Sequence, residues 1–130
     1  MRHELCRIAY VEDEPDIREL TEMALDTIGG FEVAVWSNGS DALAEIEAFD
    51  PDLILLDVMM PEMDGPEILS RLRQMETMRG RPVVFITAKS QRHEVAEFVE
   101  MGAAGVITKP YDPMTLSDEV RAFWDTSKAA

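Results

Sequence analysis

The residues best suited to chemistry follow short apolar runs of the chain. Asp57 ends the stretch "LILLD", a costly place for a charge that has no partner. Glu12 and Asp13 follow "CRIAYV", Thr87 ends "PVVFIT", and Lys109 follows "AGVIT". Each of these polar side chains therefore stands where an apolar segment stops.

Carboxylates that converge on one site repel each other unless a cation lies among them or one of them takes up a proton. One or two carboxylates together with a phosphate oxygen are typical of Mg²⁺ binding. Lys109 adds a compact cation and Thr87 a hydroxyl donor. Asp57 is then the candidate nucleophile, because carboxylates form acyl phosphates and these neighbours would stabilise charge on the transferring oxygens. The pattern predicts a Mg²⁺-dependent phosphoryl site.

Five apolar runs predict the strands that would position these residues. Near-continuous apolar runs are typical of strands buried on both faces, and the alternation in the second run indicates an edge strand. The predicted strands are 6–11, 31–36, 52–57, 82–87 and 104–108.

Segments with helical periodicity separate the strands and follow the last one. The first is predicted to begin at Pro15 and to stop at Gly29 and Gly30. The second is predicted to have Ser40 as its N-cap, and the third follows Gly65-Pro66. Alternating strands and helices predict a doubly wound α/β domain with a parallel sheet. Ligands bind such sheets at the carboxyl ends of the strands, where all the candidate residues lie.

Length and charge limit the possible functions. A chain of 130 residues fits one domain, and 26 acidic against 12 basic residues predict no direct nucleic-acid binding. No apolar run approaches the ~20 residues of a membrane span, and "MRHELCRI" lacks a secretory core. We therefore expect a cytoplasmic protein without membrane insertion. Cys6, the single cysteine, is predicted to be a small buried hydrophobe.

Four motifs in this order resemble the receiver domain of two-component response regulators, over essentially the whole chain. They are Glu12-Asp13, "LLDVMMPEMDG" around Asp57, "TA" at Thr87-Ala88 and "KP" at Lys109-Pro110. The resemblance implies a flavodoxin-like fold, with five parallel strands in the order 2-1-3-4-5 and five helices. It further implies that 1–130 is a single receiver domain, similar to single-domain chemotaxis regulators.

The resemblance also implies roles for the site residues. Asp13 and Asp57 would bind Mg²⁺ with the backbone carbonyl of Met59, and Glu12 would help directly or through water. A histidine kinase or histidine phosphotransfer protein would phosphorylate Asp57. The Lys109-Pro110 peptide is typically cis in this family.

The remaining roles concern the response to phosphorylation. Lys109 would pair with the phosphoryl group and Thr87 would move to hydrogen-bond it. Output is expected through the face formed by helix 4, strand 5 and helix 5, by docking to a downstream protein. The expected molecule is a monomer or weak dimer, a switch with at most slow self-dephosphorylation, and a role as a phosphorelay shuttle is open.

Four further positions bear on this expectation. Val106 stands where the family usually carries Tyr or Phe, three residues before the lysine, so the aromatic part of the relay is missing. Tyr111 is expected to pack rather than to relay. Met59 and Lys89 occupy positions that in the family tune access of the attacking water. Our hypothesis is that the bulky Met59 slows hydrolysis of the phosphoryl group.

Three other functions fit parts of the pattern. A phosphohydrolase of the haloacid dehalogenase type wants a second Asp two residues after the first, where this chain has Met59. A flavodoxin wants a Ser/Thr/Gly-rich loop after strand 1, where this chain has "EDEPD". An adaptor that never receives phosphate would have no use for Asp57, Thr87 and Lys109 together.

Overall fold

Strands and helices alternate along the chain in the computed structural model, which describes residues 4–88 and 92–129. The strands are β1 Arg7–Val11, β2 Glu32–Trp36, β3 Leu53–Asp57, β4 Val83–Thr87 and β5 Gly105–Thr108. The helices are α1 Pro15–Met23, which continues into a π-helical turn at Ala24–Ile28, α2 Gly39–Phe49, α3 Gly65–Gln74, α4 Arg92–Glu100 and α5 Leu116–Ala129.

The five strands form one parallel sheet in the order β2-β1-β3-β4-β5. The predicted fold class and strand order are therefore confirmed. Every residue of β3 and β4 is buried, as the near-continuous apolar runs predicted. β2 lies at the edge, and none of its residues is fully buried.

The core has two layers, one on each face of the sheet. Ile54 and Leu56 point into the layer that α2, α3 and α4 cover, whereas Leu53 and Leu55 point into the layer covered by α1 and α5. This division follows from the two-residue period of a strand, because successive side chains point to opposite faces. The arrangement leaves the carboxyl edge of the sheet for the site.

Two sequence expectations about local structure are wrong. The N-cap of α2 is Asn38 rather than Ser40, because the Asn38 side chain accepts a hydrogen bond of 2.8 Å from the amide of Asp41 and the helix begins two residues earlier than predicted, at Gly39. Cys6 is exposed. It precedes β1, where its amide donates to Asp52 Oδ2 at 3.0 Å, so its side chain lies outside the core layers. Among the helices that the structure describes, none is long and apolar enough to cross a membrane.

The loop after β3 closes back onto the end of that strand at Gly65. The Gly65 amide donates to the Val58 carbonyl at 3.0 Å, and Asp64 caps α3 by accepting from the Glu67 amide at 3.0 Å. A Cβ at Gly65 would lie 2.8 Å from the Asp57 carbonyl oxygen and 3.0 Å from the Val58 Cα. Glycine is therefore required here by close packing of the loop against the strand.

Gly65→Ala is expected to lower the free energy of unfolding by about 2 kcal/mol, because the added methyl meets backbone that cannot move aside cheaply. Urea denaturation measures this loss. Gly80→Ala is the matched control, since a Cβ there meets nothing within 4 Å, and its effect should stay within about 0.5 kcal/mol. Equal stability of the two variants would contradict the steric explanation.

Candidate functional site

Three carboxylates meet at the carboxyl edge of the sheet. Glu12 and Asp13 follow β1 and Asp57 ends β3, and these two strands are neighbours. One oxygen from each carboxylate lies within 4.8 Å of the other two. Glu12 is 0% exposed and Asp57 is 3% exposed, whereas Asp13 is half-buried. The structure thus brings the three acidic residues together, as the sequence predicted.

Lys109 supplies a positive charge to this cluster. Its Nζ lies 3.1 Å from Asp57 Oδ1 and 3.2 Å from Glu12 Oε1. The Lys109 amide donates to the Thr87 carbonyl at 2.8 Å, which ties the segment after β5 to the end of β4. The Lys109-Pro110 peptide is cis. The ammonium therefore bridges carboxylates that come from two different strand ends.

Thr87 and Met59 flank the acidic cluster in the chain. Thr87 is the last residue of β4 and is 1% exposed, one strand away from Asp57. Met59 follows β3 by two residues, and its side chain is 62% exposed. The roles given to these two residues and to the Met59 carbonyl stay predictions. Lys89 lies outside the described residues.

The charges of the site act on each other. The pKa of Glu12 is raised to about 7, first by burial and then by the hydrogen bond to and the charge of Asp57. Burial acts to lower the pKa of Lys109, but the hydrogen bond to Asp57 and the charge of Glu12 outweigh it, so that pKa is raised. Three carboxylates face one ammonium, and the site can accept further positive charge.

The donor set fits Mg²⁺. The cluster offers only carboxylate oxygens from Glu12, Asp13 and Asp57, and hard oxygen ligands are those that Mg²⁺ prefers. The half-buried Asp13 carboxylate borders solvent, and Mg²⁺ commonly keeps several of its waters. These residues could therefore hold the ion and leave part of its coordination sphere to water.

Sequence reasoning missed two residues that contact the site. Arg18 Nη1 donates to the Glu12 carbonyl at 2.8 Å and so braces the acidic loop from α1. It is the only basic residue between Glu12 and Asp26, a signal that could have found it. Tyr10 donates its hydroxyl to Glu12 Oε1 at 3.2 Å. The sequence signal for Tyr10 was a tyrosine, with its polar hydroxyl, inside the apolar run "CRIAYV".

Position 106 carries no ring, but an aromatic pair lies close by. Val106 is half-buried and pairs in register with Phe85, two residues before Thr87 on β4. The Phe85 ring contacts that of Phe98 on α4, with centroids 5.1 Å apart and an interplanar angle of 71°. Tyr111 packs against the core layer under α1 and α5, as expected. The aromatic contact nearest Thr87 along the strands thus joins β4 to α4.

Comparisons with known sequences agree with this geometry. The model of the response regulator receiver domain family matches residues 8–121. The alkaline phosphatase synthesis transcriptional regulatory protein PhoP of Bacillus subtilis is 36% identical over 124 residues, which cover 95% of this chain and 50% of PhoP. The chain spans about half the length of the curated relatives it matches.

Solved structures show the same fold. The chemotaxis response regulator CheY4 of Vibrio cholerae superposes with a TM-score of 0.84 at 28% identity, covering 92% of this chain and 98% of CheY4. The signal receiver domain of a signal transduction histidine kinase from Syntrophus aciditrophicus superposes with a TM-score of 0.80 at 32% identity, covering 96% and 94% of the two chains. Both likenesses extend over nearly the full length of the described fold.

Proposed function

This chain belongs to the response regulator receiver domain family of two-component signalling, and from that membership we propose that Asp57 is its phospho-acceptor. The observation that carries the proposal is the contact of the Asp57 carboxylate with Lys109 at 3.1 Å, beside Glu12 and Asp13 at the carboxyl edge of the sheet. A nearly buried carboxylate in this setting is poised for chemistry rather than for stability.

In the proposed reaction, an Asp57 oxygen attacks the phosphorus of an activated donor. The bond from phosphorus to the donor's leaving group breaks, the leaving group departs with the electron pair, and an acyl phosphate forms on Asp57. Lys109 stays at hydrogen-bond distance and compensates negative charge on the phosphoryl oxygens. The hydroxyl of Thr87, one strand away, would donate a hydrogen bond to the acyl phosphate. No general base is needed, because Asp57 reacts as a carboxylate.

We assign Mg²⁺ binding to Glu12, Asp13 and Asp57, with the Met59 carbonyl as a further ligand. When bound, the ion would neutralise charge between the carboxylates and the incoming phosphoryl group. Asp13 is the most accessible of the three carboxylates and would meet the ion first. Glu12 is held by Tyr10 and Lys109. It would therefore support the ion either as a direct ligand or through a bound water.

Receiver domains receive their phosphoryl group from histidine kinases and pass the signal to downstream targets. For this chain we propose a histidine kinase or histidine phosphotransfer protein as the donor, and a protein docked on α4, β5 and α5 as the target. The exposed Val99 on α4 and the Phe85–Phe98 contact behind it support a response on this face. The lack of direct nucleic-acid binding, the state of a monomer or weak dimer and the cytoplasmic location stay predictions.

The proposal makes the protein a switch rather than an enzyme that turns over substrates. The position two residues after the nucleophile carries Met59, which cannot serve as the general acid of a haloacid dehalogenase-type phosphohydrolase. The loop after β1 is acidic, which disfavours the phosphate of a flavin. Steady turnover of small phosphate esters would favour the phosphohydrolase instead.

Incubation with acetyl phosphate tests the proposed function directly. With Mg²⁺ present, intact-mass measurement should show one added phosphoryl group per chain, and beryllofluoride should give a stable adduct. Chelation of the metal should prevent both. A chain that gains no metal-dependent adduct from either reagent would overturn the phospho-acceptor proposal.

Met59→Asn is expected to shorten the life of the phosphoryl group several-fold. The Met59 side chain is 62% exposed beside the site, where its apolar bulk would obstruct an attacking water that Asn could instead hydrogen-bond. Loss of label from purified phosphoprotein measures the rate. Met114→Asn, at a methionine that is 67% exposed, controls for the substitution itself. Equal rates for Met59→Asn and the unsubstituted chain would show that our hypothesis is wrong.

A further inference from the structure

The Glu12 carboxylate contacts a buried hydroxyl that the proposed phosphoryl transfer does not use. Tyr10 donates to Glu12 Oε1 at 3.2 Å, and the same oxygen accepts from Lys109 Nζ at 3.2 Å. Tyr10, Glu12 and Thr21 are each 0% exposed. Buried hydroxyl groups are nearly always hydrogen-bonded, and here the partner of the phenol is a residue of the acidic cluster.

Two other hydroxyls lie next to the Tyr10 phenol. They belong to Thr21 on α1 and to Tyr111 after β5, and these two hydroxyls are hydrogen-bonded to each other. Tyr111 follows Lys109 by two residues in the chain. The segment after β5 therefore contacts Glu12 directly through Lys109, and its Tyr111 lies beside the phenol that donates to Glu12.

Glutamate at position 12 needs such restraint more than aspartate would. Its side chain has one more rotatable bond, and ordering a rotatable side chain costs conformational entropy. Groups that hydrogen-bond metal ligands orient them, and their removal typically weakens metal binding. We propose that Tyr10 is a positioning residue for the metal site, whose hydroxyl keeps the Glu12 carboxylate turned toward Lys109, Asp13 and Asp57. This inference rests on the proposed function only in taking Mg²⁺ as the bound ion.

Mg²⁺ affinity in two backgrounds tests the proposal. Tyr10→Phe should weaken Mg²⁺ binding about tenfold in the otherwise unchanged chain. In a Glu12→Asp background the same substitution should cost less than about twofold, because the shorter carboxylate has no flexible arm for the phenol to hold. Isothermal titration calorimetry with MgCl₂ gives the affinities, and electron paramagnetic resonance of bound Mn²⁺ gives an independent measurement. Equal losses in both backgrounds, or no loss in the first, would overturn the proposal.

A second pair of variants separates positioning from general loosening of the core. Ser117→Ala removes another buried hydroxyl, which donates to the Ala24 carbonyl at 3.2 Å, and should leave Mg²⁺ affinity unchanged. If it weakens Mg²⁺ as much as Tyr10→Phe does, Tyr10 has no special role. Thr21→Val keeps both tyrosines and should give a smaller loss in the same direction. If Tyr10→Phe does not fold, Thr21→Val takes its place in the test. An unchanged Mg²⁺ affinity of Thr21→Val would then contradict the proposal.

The outcomes also separate this inference from the proposed function. A chain that binds Mg²⁺ but forms no adduct refutes Asp57 as phospho-acceptor, while the role of Tyr10 is still decided by the two backgrounds. A chain that binds no Mg²⁺ overturns both.

Discussion

Asp57→Asn is expected to abolish adduct formation with acetyl phosphate and with beryllofluoride, leaving no phosphorylated species in the intact-mass spectrum. The reason is chemical, because an amide is a far poorer nucleophile than a carboxylate and cannot form the same acyl phosphate. The fold should survive, since Asn has nearly the shape of Asp and Glu12 keeps Lys109 as a partner. Circular dichroism and a urea unfolding curve would check that the variant is folded.

Asp118→Asn is the matched control for this loss. It makes the same chemical change on α5, at a side chain that is 82% exposed, and should be phosphorylated like the unsubstituted chain. If Asp57→Asn still gains one metal-dependent phosphoryl group, another residue is the acceptor. Fragmentation of the labelled protein would then locate it.

Lys109→Met is expected to slow phosphorylation by acetyl phosphate about 100-fold, the typical effect of removing one group that stabilises developing charge. The substitution keeps an unbranched side chain but removes the ammonium that lies 3.1 Å from Asp57 and 3.2 Å from Glu12. It also leaves two buried carboxylates without this cation. The pKa of Glu12 should then rise further, because its value of about 7 already includes the lowering effect of Lys109.

Lys109→Arg tests whether charge or geometry at position 109 matters, and Arg71→Gln is its control. Lys109→Arg keeps the charge on a longer, planar group and should recover only part of the rate. Arg71→Gln removes a cation from an exposed pair on α3, where the side chain is 53% exposed, and should change nothing. Initial rates of adduct formation at fixed Mg²⁺ give the comparison. A wild-type rate for Lys109→Met would contradict the proposed role of the ammonium.

Strong local signals made the fold predictable. The runs at 52–57 and 82–87 became β3 and β4 to within a residue, because a strand buried on both faces must be apolar at every position. Helix caps were less predictable, as Ser40 and Asn38 show. Either residue type can cap, and the choice depends on which side chain reaches a free amide after the loop has folded.

The acidic cluster was predictable because parallel strands bring their carboxyl ends to one edge. Asp57 and Lys109 are 52 residues apart in the chain, yet each could be assigned to that edge from its place after an apolar run. Tyr10 and Arg18 could not be assigned in this way. Their roles depend on side-chain direction and reach, which hydrophobic periodicity does not encode.

The sequence by itself therefore determined the order of elements, the sheet and the residues at its carboxyl edge, because apolar periodicity and chain connectivity leave few arrangements that bury the core. Only the tertiary structure decided which hydroxyl holds Glu12 and why residue 65 must be glycine. It also showed that the aromatic contact near Thr87 joins β4 to α4. These features depend on distances of a few ångströms between segments far apart in the chain, and packing sets such distances only when all the elements are in place.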